Sequence, residues 1–144
     1  MVLTQTLVKL NQESHKGQVF GPLLFLIYIN DLEKCIKSNI KFFADDTMLF
    51  SIIDNPNLSA QDLNDDLETI RKWAFQWKLE FNPDINKQAT EILFSCRNSK
   101  KTHPKLYFNG NEVVKHTDQK HLGLIIESNL SFKRHIFDKI SKAK

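Results

Sequence analysis

Asp45 and Asp46 stand side by side within Ile-Lys-Phe-Phe-Ala-Asp-Asp-Thr-Met-Leu-Phe-Ser-Ile-Ile, residues 40–53. Two short apolar runs flank them, each with the length and Phe/Ile content of a β-strand. The pattern predicts a hairpin with an acidic tip. Tight hairpin turns favour Asn-Gly, Asp-Gly or Gly-Gly, because their central residues need positive φ. Asp-Asp supplies no glycine and sets two like charges together. A divalent cation would reward that arrangement, since Mg²⁺ takes carboxylate oxygens. Adjacent acids in loops are also common as solvated turn residues. Carboxylates on a sheet-backed hairpin are the setting for two-metal phosphoryl transfer, in which one cation activates the attacking hydroxyl and the other steadies the leaving group. Two dications about 4 Å apart need carboxylates from more than one segment.

The elements that must position the pair follow from the patterning. Residues 1–16 are polar and weakly patterned, and they receive no assignment. Gly21-Pro22 suits a helix start, and the apolar stretch Leu23 to Leu32 is too apolar for a surface helix. After the hairpin, Asn55-Pro56 reads as a break, and Ser59 is the expected cap of a following helix. Leu63, Leu67, Ile70, Ala74 and Trp77 recur at spacings of four and three, which makes one apolar helix face ending near Leu79. Thr90 to Cys96 reads as a strand. Leu106 to Phe108 and Val113-Val114 flank the turn signal Asn109-Gly110-Asn111. His121 to Ile126 is another candidate strand. Phe132, Ile136 and Ile140 suggest a last helix with no stop signal, so the chain reads as truncated there. The layout is α+β, with helices packed on one face of an antiparallel sheet.

A length of 144 residues fits one domain with a real core, and the 11 Phe supply apolar bulk. The net charge of +3 is unevenly spread. From Arg97 onward, 11 Lys/Arg face four acids, which fits contact with a phosphate backbone and fits a solvated surface equally. Residues 54–68 hold five acids and no base. Cys35 and Cys96 lack metal spacing and read as reduced thiols of an intracellular protein, nuclear or cytoplasmic. No apolar run reaches the roughly 20 residues of a membrane span, and no signal peptide is expected.

Phe43-Ala44-Asp45-Asp46 resembles the Phe/Tyr-x-Asp-Asp motif of reverse transcriptases. Three further segments, in order, strengthen the likeness. Gly21-Pro-Leu-Leu-Phe-Leu-Ile-Tyr-Ile-Asn-Asp-Leu32 resembles the segment before that motif in non-LTR retrotransposon polymerases. Phe81-Asn-Pro-Asp-Ile-Asn-Lys87 is similar to the segment after the amphipathic helix. His121-Leu-Gly123, followed by Leu130-Ser-Phe132, resembles the primer grip and the start of the thumb. The likeness runs from about Gly17 to the end, and it is greatest to Jockey-like elements.

The resemblance implies a fragment of an RNA-directed DNA polymerase that uses Mg²⁺, an RNA template, a DNA primer and dNTP. Residues 17–120 would be a partial palm and 121–144 a primer-grip turn with the start of a helical thumb. Asp45 matches the directly metal-binding acid, and Asp46 its supporting neighbour. Gly17, Phe43, Ala44, His121, Leu122 and Gly123 match positions at template and primer. Lys87 matches a lysine near the nucleotide phosphates, although a solvated loop lysine reads as well, and His121 to Gly123 would equally suit an ordinary strand start. The chain also departs from the family. Lys16 and Gln18 replace the Gln and Ser of its Pro-Gln-Gly-Ser segment, and Ile85 follows Asn-Pro-Asp. The family's other metal-binding Asp lies upstream on a strand. Here only Glu13, Asp31 and Glu33 precede Asp45. The expectation is therefore a half-built metal site, a hairpin without a sheet neighbour, and a chain inactive alone. The alternatives are a non-catalytic nucleic-acid-binding remnant and a degenerate copy without function.

Overall fold

A computed structural model of the chain describes residues 2–11 as backbone, together with 27, 29–43, 46–82, 84, 88–95 and 102–143. Its centre is a six-stranded sheet. Strands β1 (Val2–Asn11), β2 (Asn39–Phe43), β3 (Asp46–Ile52), β4 (Glu80–Phe81), β5 (Ala89–Ser95) and β8 (Val114–His116) build it. The order is β2-β3-β1-β5-β8, with β4 on the end of β1. Two small hairpins complete the strands: β6 (Tyr107–Phe108) with β7 (Asn111–Glu112), and β9 (Asp118–His121) with β10 (Leu124–Glu127). Helices α1 (Pro56–Gln76) and α2 (Lys133–Lys142) follow β3 and β10, and among the described residues 29–32 are also helical and run into a 3-10 turn at Glu33–Cys35 before β2. Helix and sheet together make the α+β class that the patterning predicts.

The acidic hairpin forms as expected, with one change. Phe43 pairs with Asp46, so Asp46 is the first residue of β3 and not a turn residue. Ala44 and Asp45 lie outside the described residues. Alternation sets the faces: Ile40, Thr47 and Leu49 are buried, while Lys41 and Phe43 are exposed and Asp46 and Met48 half-buried. Ile40 and Leu49 join Leu63, Leu67 and Ile70 of α1 and Leu106, Phe108 and Val113 in one apolar core. Burying such side chains is worth about 1.5–3 kcal/mol each, so α1 locks the hairpin's inner face.

The largest departure lies at the amino end. Residues 2–11, without a sequence assignment, form the central strand. β1 pairs antiparallel with β3 from Leu3↔Ile52 to Lys9↔Asp46, and with β5 from Val2↔Ser95 to Val8↔Ala89. The hairpin thus has the sheet neighbour that sequence reasoning denied it. Leu49 and Phe50 stand inside the sheet, and of the hairpin's two strands only β2 lies at a sheet edge, the opposite edge being β8. The sheet is also not purely antiparallel, because β8 runs parallel to β5 from Thr90↔Val114 to Ile92↔His116.

Helix α1 starts earlier than Ser59. The Asn55 side chain accepts the backbone N–H of Asn57 at 3.1 Å and of Leu58 at 3.3 Å, and Pro56 takes the first turn. Asn-Pro is therefore a cap and first helical residue, a pairing that suits a helix start. At the other end Leu79 N–H donates to Ala74 O at 2.9 Å and Lys78 N–H to Phe75 O at 3.2 Å. Lys78 holds φ +54° where glycine would be easiest. Leu63, Leu67, Ile70 and Ala74 are buried as the spacing predicts, but Trp77, at the cap, is 39% exposed.

Ile29 and Leu32 are buried, as expected at the end of the apolar stretch that opens at Gly21. Positions 21–26 and 28 lie outside the described residues. No helix among the described residues is long and apolar enough to cross a membrane.

Candidate functional site

Asp46 is the described member of the acidic pair. Its strand alternation sends it to the face opposite α1. The β9–β10 hairpin lies on that face. Gln119 Nε2 donates to Thr90 Oγ1 on β5, Ser95 N–H donates to Ser128 O at 3.0 Å, and His121 Nδ1 stands 3.8 Å from Asp46 Oδ2. His121 and Asp46 are both mostly buried by this approach, with side chains 10% and 17% exposed. The geometry therefore joins two residues that the sequence offers 75 positions apart.

The tip of that hairpin is the turn Leu122-Gly123, with His121 paired to Leu124. Residues 121–126 are thus two strands and a turn, where patterning suggested one strand. Both turn residues have positive φ, +49° and +82°. Two such residues fit a tight hairpin to the right-handed strand twist. Asn109-Gly110 does the same between β6 and β7, at φ +50° and +79°, as its sequence predicts. Leu122 is different, because a γ-branched residue pays for positive φ. It is also 55% exposed, so packing does not hold it there.

Helix α2 extends this unit. Its first turn has no side-chain cap from Phe132, which sits at φ +55°. Glu127 replaces the cap: one carboxylate oxygen accepts Ser131 Oγ–H at 2.8 Å and Arg134 N–H at 3.1 Å. These bonds, Ser131 first, hold the Glu127 carboxyl below its ordinary 4.5. A depressed carboxyl stabilises the fold above its unfolded value, and the contribution is lost as pH falls through the folded one. Hydrogen exchange at Arg134 to Ile136 is therefore expected to accelerate as pH drops below about 4.5, after correction for the intrinsic rate. Glu127→Gln should remove that step, and an unchanged step in the variant would show that Glu127 is not its origin.

The surface of the unit mixes charge and apolar groups. Leu122, Leu124, Phe132, Ile136, Phe137 and Ile140 are all exposed. From 118 to 143 there are five Lys/Arg and three acids. Arg134 pairs with Asp118, Lys142 with Asp138 at 2.8 Å, and Lys120, Lys133 and Lys139 add positive charge. Basic groups interleaved with aromatic faces can hold a nucleic-acid strand. The charge excess is small, so electrostatic attraction alone would be weak.

Two residues that sequence reasoning passed over carry the strongest buried polar contacts. Glu91 and His103 are fully buried side chains, with His103 Nε2 against Glu91 Oε1 and Lys115 Nζ 4.0 Å from Glu91 Oε2. The visible signal is an acid inside the apolar run Ala89 to Phe94. Asp66, buried in α1, accepts the backbone N–H of Lys37 and of Ser38, each at 2.8 Å. Nearby, hydrogen bonds from Lys37 Nζ to Asp65 at 2.8 Å and Asp62 at 3.2 Å raise the Lys37 pKa.

A two-metal centre is not furnished by the described side chains. Among the described residues, no group of three or more His, Cys, Asp and Glu could hold a metal ion. The strand beside Asp46, Val2–Asn11, contains no carboxylate in its sequence. Of the other positions implied by resemblance, Gly17, Ala44, Asp45 and Lys87 lie outside the described residues. Phe43 is exposed on β2, on the strand position paired with Asp46.

No family model matches the chain, and no solved structure matches it. Curated relatives do. The chain is 25% identical over 128 residues to a probable RNA-directed DNA polymerase from transposon X-element of Drosophila melanogaster, covering 85% of this chain and 14% of the relative. It is 24% identical over 129 residues to the RNA-directed DNA polymerase from mobile element jockey of the same fly, covering 84% and 14%. It is 26% identical over 129 residues to the jockey polymerase of Drosophila funebris, covering 88% and 12%. The chain therefore spans about one seventh of the length of these relatives. Over most of its own length it is similar to a short stretch of retrotransposon RNA-directed DNA polymerases.

Proposed function

We propose that this chain is a palm segment of a retrotransposon reverse transcriptase, with the β9–β10 hairpin as primer grip and α2 as the start of the thumb. Residues 17–120 would carry the palm and 121–144 the grip and thumb start. The observation that carries the reading is the approach of His121 to Asp46. It sets the hairpin that resembles a primer grip beside the hairpin that resembles the catalytic one. The likeness to the fly polymerases over most of the chain supports it.

In that reading the chain lies along an RNA template and DNA primer. Phe43, Ala44 and the Leu122-Gly123 turn would sit against the primer end, Gly17 near the template, and Lys87 near the phosphates of an incoming nucleotide. Asp45 and Asp46 would be what remains of a Mg²⁺ site. The chain alone does not transfer nucleotides, because carboxylates from a second segment are needed to hold two cations. Losing a metal centre of that kind removes several kcal/mol of transition-state stabilisation, and each 1.4 kcal/mol is about tenfold in rate.

Binding and catalysis separate the outcomes. The chain is expected to bind an RNA/DNA hybrid weakly and with salt sensitivity. Three phosphate contacts, from Lys120, Lys133 and Lys139, would give a log–log slope near −2.7, or roughly 40-fold weaker binding from 50 to 200 mM salt. Fluorescence anisotropy measures it, and salt-independent binding or none would remove the reading. Primer extension with Mg²⁺ should yield no product. Synthesis that disappears in Asp45→Asn would overturn the inactivity of the chain.

A further inference from the structure

A strand has two hydrogen-bonding edges, and β3 uses both. On one side β2 pairs with it from Asn39↔Phe50 to Phe43↔Asp46. On the other β1 pairs with it from Leu3↔Ile52 to Lys9↔Asp46. Both ladders reach Asp46 itself. A further strand could bring a carboxylate level with Asp46 only by displacing β1 or β2. The residue already level with Asp46 on β1 is a lysine, and on β2 a phenylalanine. On the face away from α1, His121 Nδ1 stands 3.8 Å from Asp46 Oδ2.

We infer that the strand position where a second metal-binding carboxylate would have to stand is filled by β1, with Lys9 at the level of Asp46. Adding a carboxylate strand upstream of this chain would therefore not complete a divalent-cation centre. Asp46 instead faces the β9–β10 hairpin, with His121 Nδ1 3.8 Å from its carboxylate. The inference rests on the polymerase reading only for the choice of cation. Its geometric basis is the register of three strands and one side-chain approach. A cation site gains affinity with the charge and number of its carboxylates. The backbone position paired with Asp46 on β1 carries a residue that cannot supply a carboxylate oxygen.

The test uses the whole 144-residue chain and Mn²⁺ as probe, with free Mn²⁺ followed by electron paramagnetic resonance. The chain is expected to show no saturable site below about 1 mM, the weak end of carboxylate cation sites. Lys9→Asp places a carboxylate in register and is expected to gain a site at least tenfold tighter, provided circular dichroism shows a cooperative melt. A saturable site in the native chain that Asp46→Asn abolishes overturns the inference. So does a folded Lys9→Asp chain with no gain. Should Lys9→Asp fail to fold, the comparison of native with Asp46→Asn decides the question alone. Hybrid binding in EDTA is measured separately. A chain that binds hybrid and also holds Mn²⁺ through Asp46 sinks this inference and leaves the polymerase reading standing.

Discussion

Glu91→Ala is expected to destabilise the fold by about 3 kcal/mol, the upper end of the cost of leaving a buried hydrogen-bonding group unsatisfied. The variant would leave His103 buried without its carboxylate, and Lys115 without the charge 4.0 Å away. Typical domains have only about 5–15 kcal/mol in total, so the change removes a large fraction of the stability. Urea titration followed by circular dichroism measures the change as a lower midpoint with an unchanged slope. The partner test is the double change Glu91→Leu with His103→Phe. Replacing both members by apolar groups removes the desolvation cost together with the attraction. Most of the lost stability should return. If the double variant is worse than Glu91→Ala, the pair's contribution lies in its hydrogen bonds, including His103 Nδ1 to Pro104 O at 2.6 Å, and not in its charge balance.

Asp66→Ala is expected to cost about 3 kcal/mol, because two backbone N–H groups lose a charged acceptor and hydrogen bonds to charged groups are worth about 1.5–3 kcal/mol each. Lys37 and Ser38 lie just before β2, so the loss falls on the entry to the acidic hairpin. Asp66→Asn keeps one acceptor oxygen and should cost about half as much. Asp65→Ala, one position away, touches only the exposed Lys37 ammonium and serves as the control. Exposed ion pairs contribute little. Equal effects of Asp65→Ala and Asp66→Ala would refute the assignment of the anchor to Asp66.

Much of the fold is legible in the residues, for reasons that can be named. The hairpin of β2 and β3 shows because Ile40, Thr47 and Leu49 alternate with exposed or half-buried residues. The long helix shows because its buried residues recur at three and four. The Asn109-Gly110 turn shows because both residues tolerate positive φ. Other features are hidden. β1 carries Thr4-Gln5-Thr6 in its middle, which breaks both the alternation of an edge strand and the apolar run of a buried one. The Leu122-Gly123 turn lacks the Asn or Asp that usually marks the first turn residue. Asn55-Pro56 reads as a break until the cap bonds are seen, because the same dipeptide serves both ends of an element.

The candidate site divides in the same way. Asp46 was visible as a carboxylate but not as a strand residue. His121 was visible only as the start of a candidate strand and as a position of the resembled primer grip, since nothing local in a sequence tells that it meets a residue 75 positions earlier. Glu91 and His103 come from different elements, and neither carries a mark of its partner. Local pattern sets elements, whereas the pairing of distant side chains is a property of the closed sheet.

The central place of β1 has a consequence for how the molecule is made. Residues 2–11 leave the ribosome before either neighbour exists. Their partners on β3 arrive some 40 residues later, and those on β5 some 80. At 5–20 residues per second, the second edge stays open for roughly ten seconds. During that interval the nascent chain presents a strand with an open edge, and that edge closes only when Ala89 to Ser95 has emerged. Among the described strands, β1 thus emerges ahead of both of its partners and waits longest for its second neighbour.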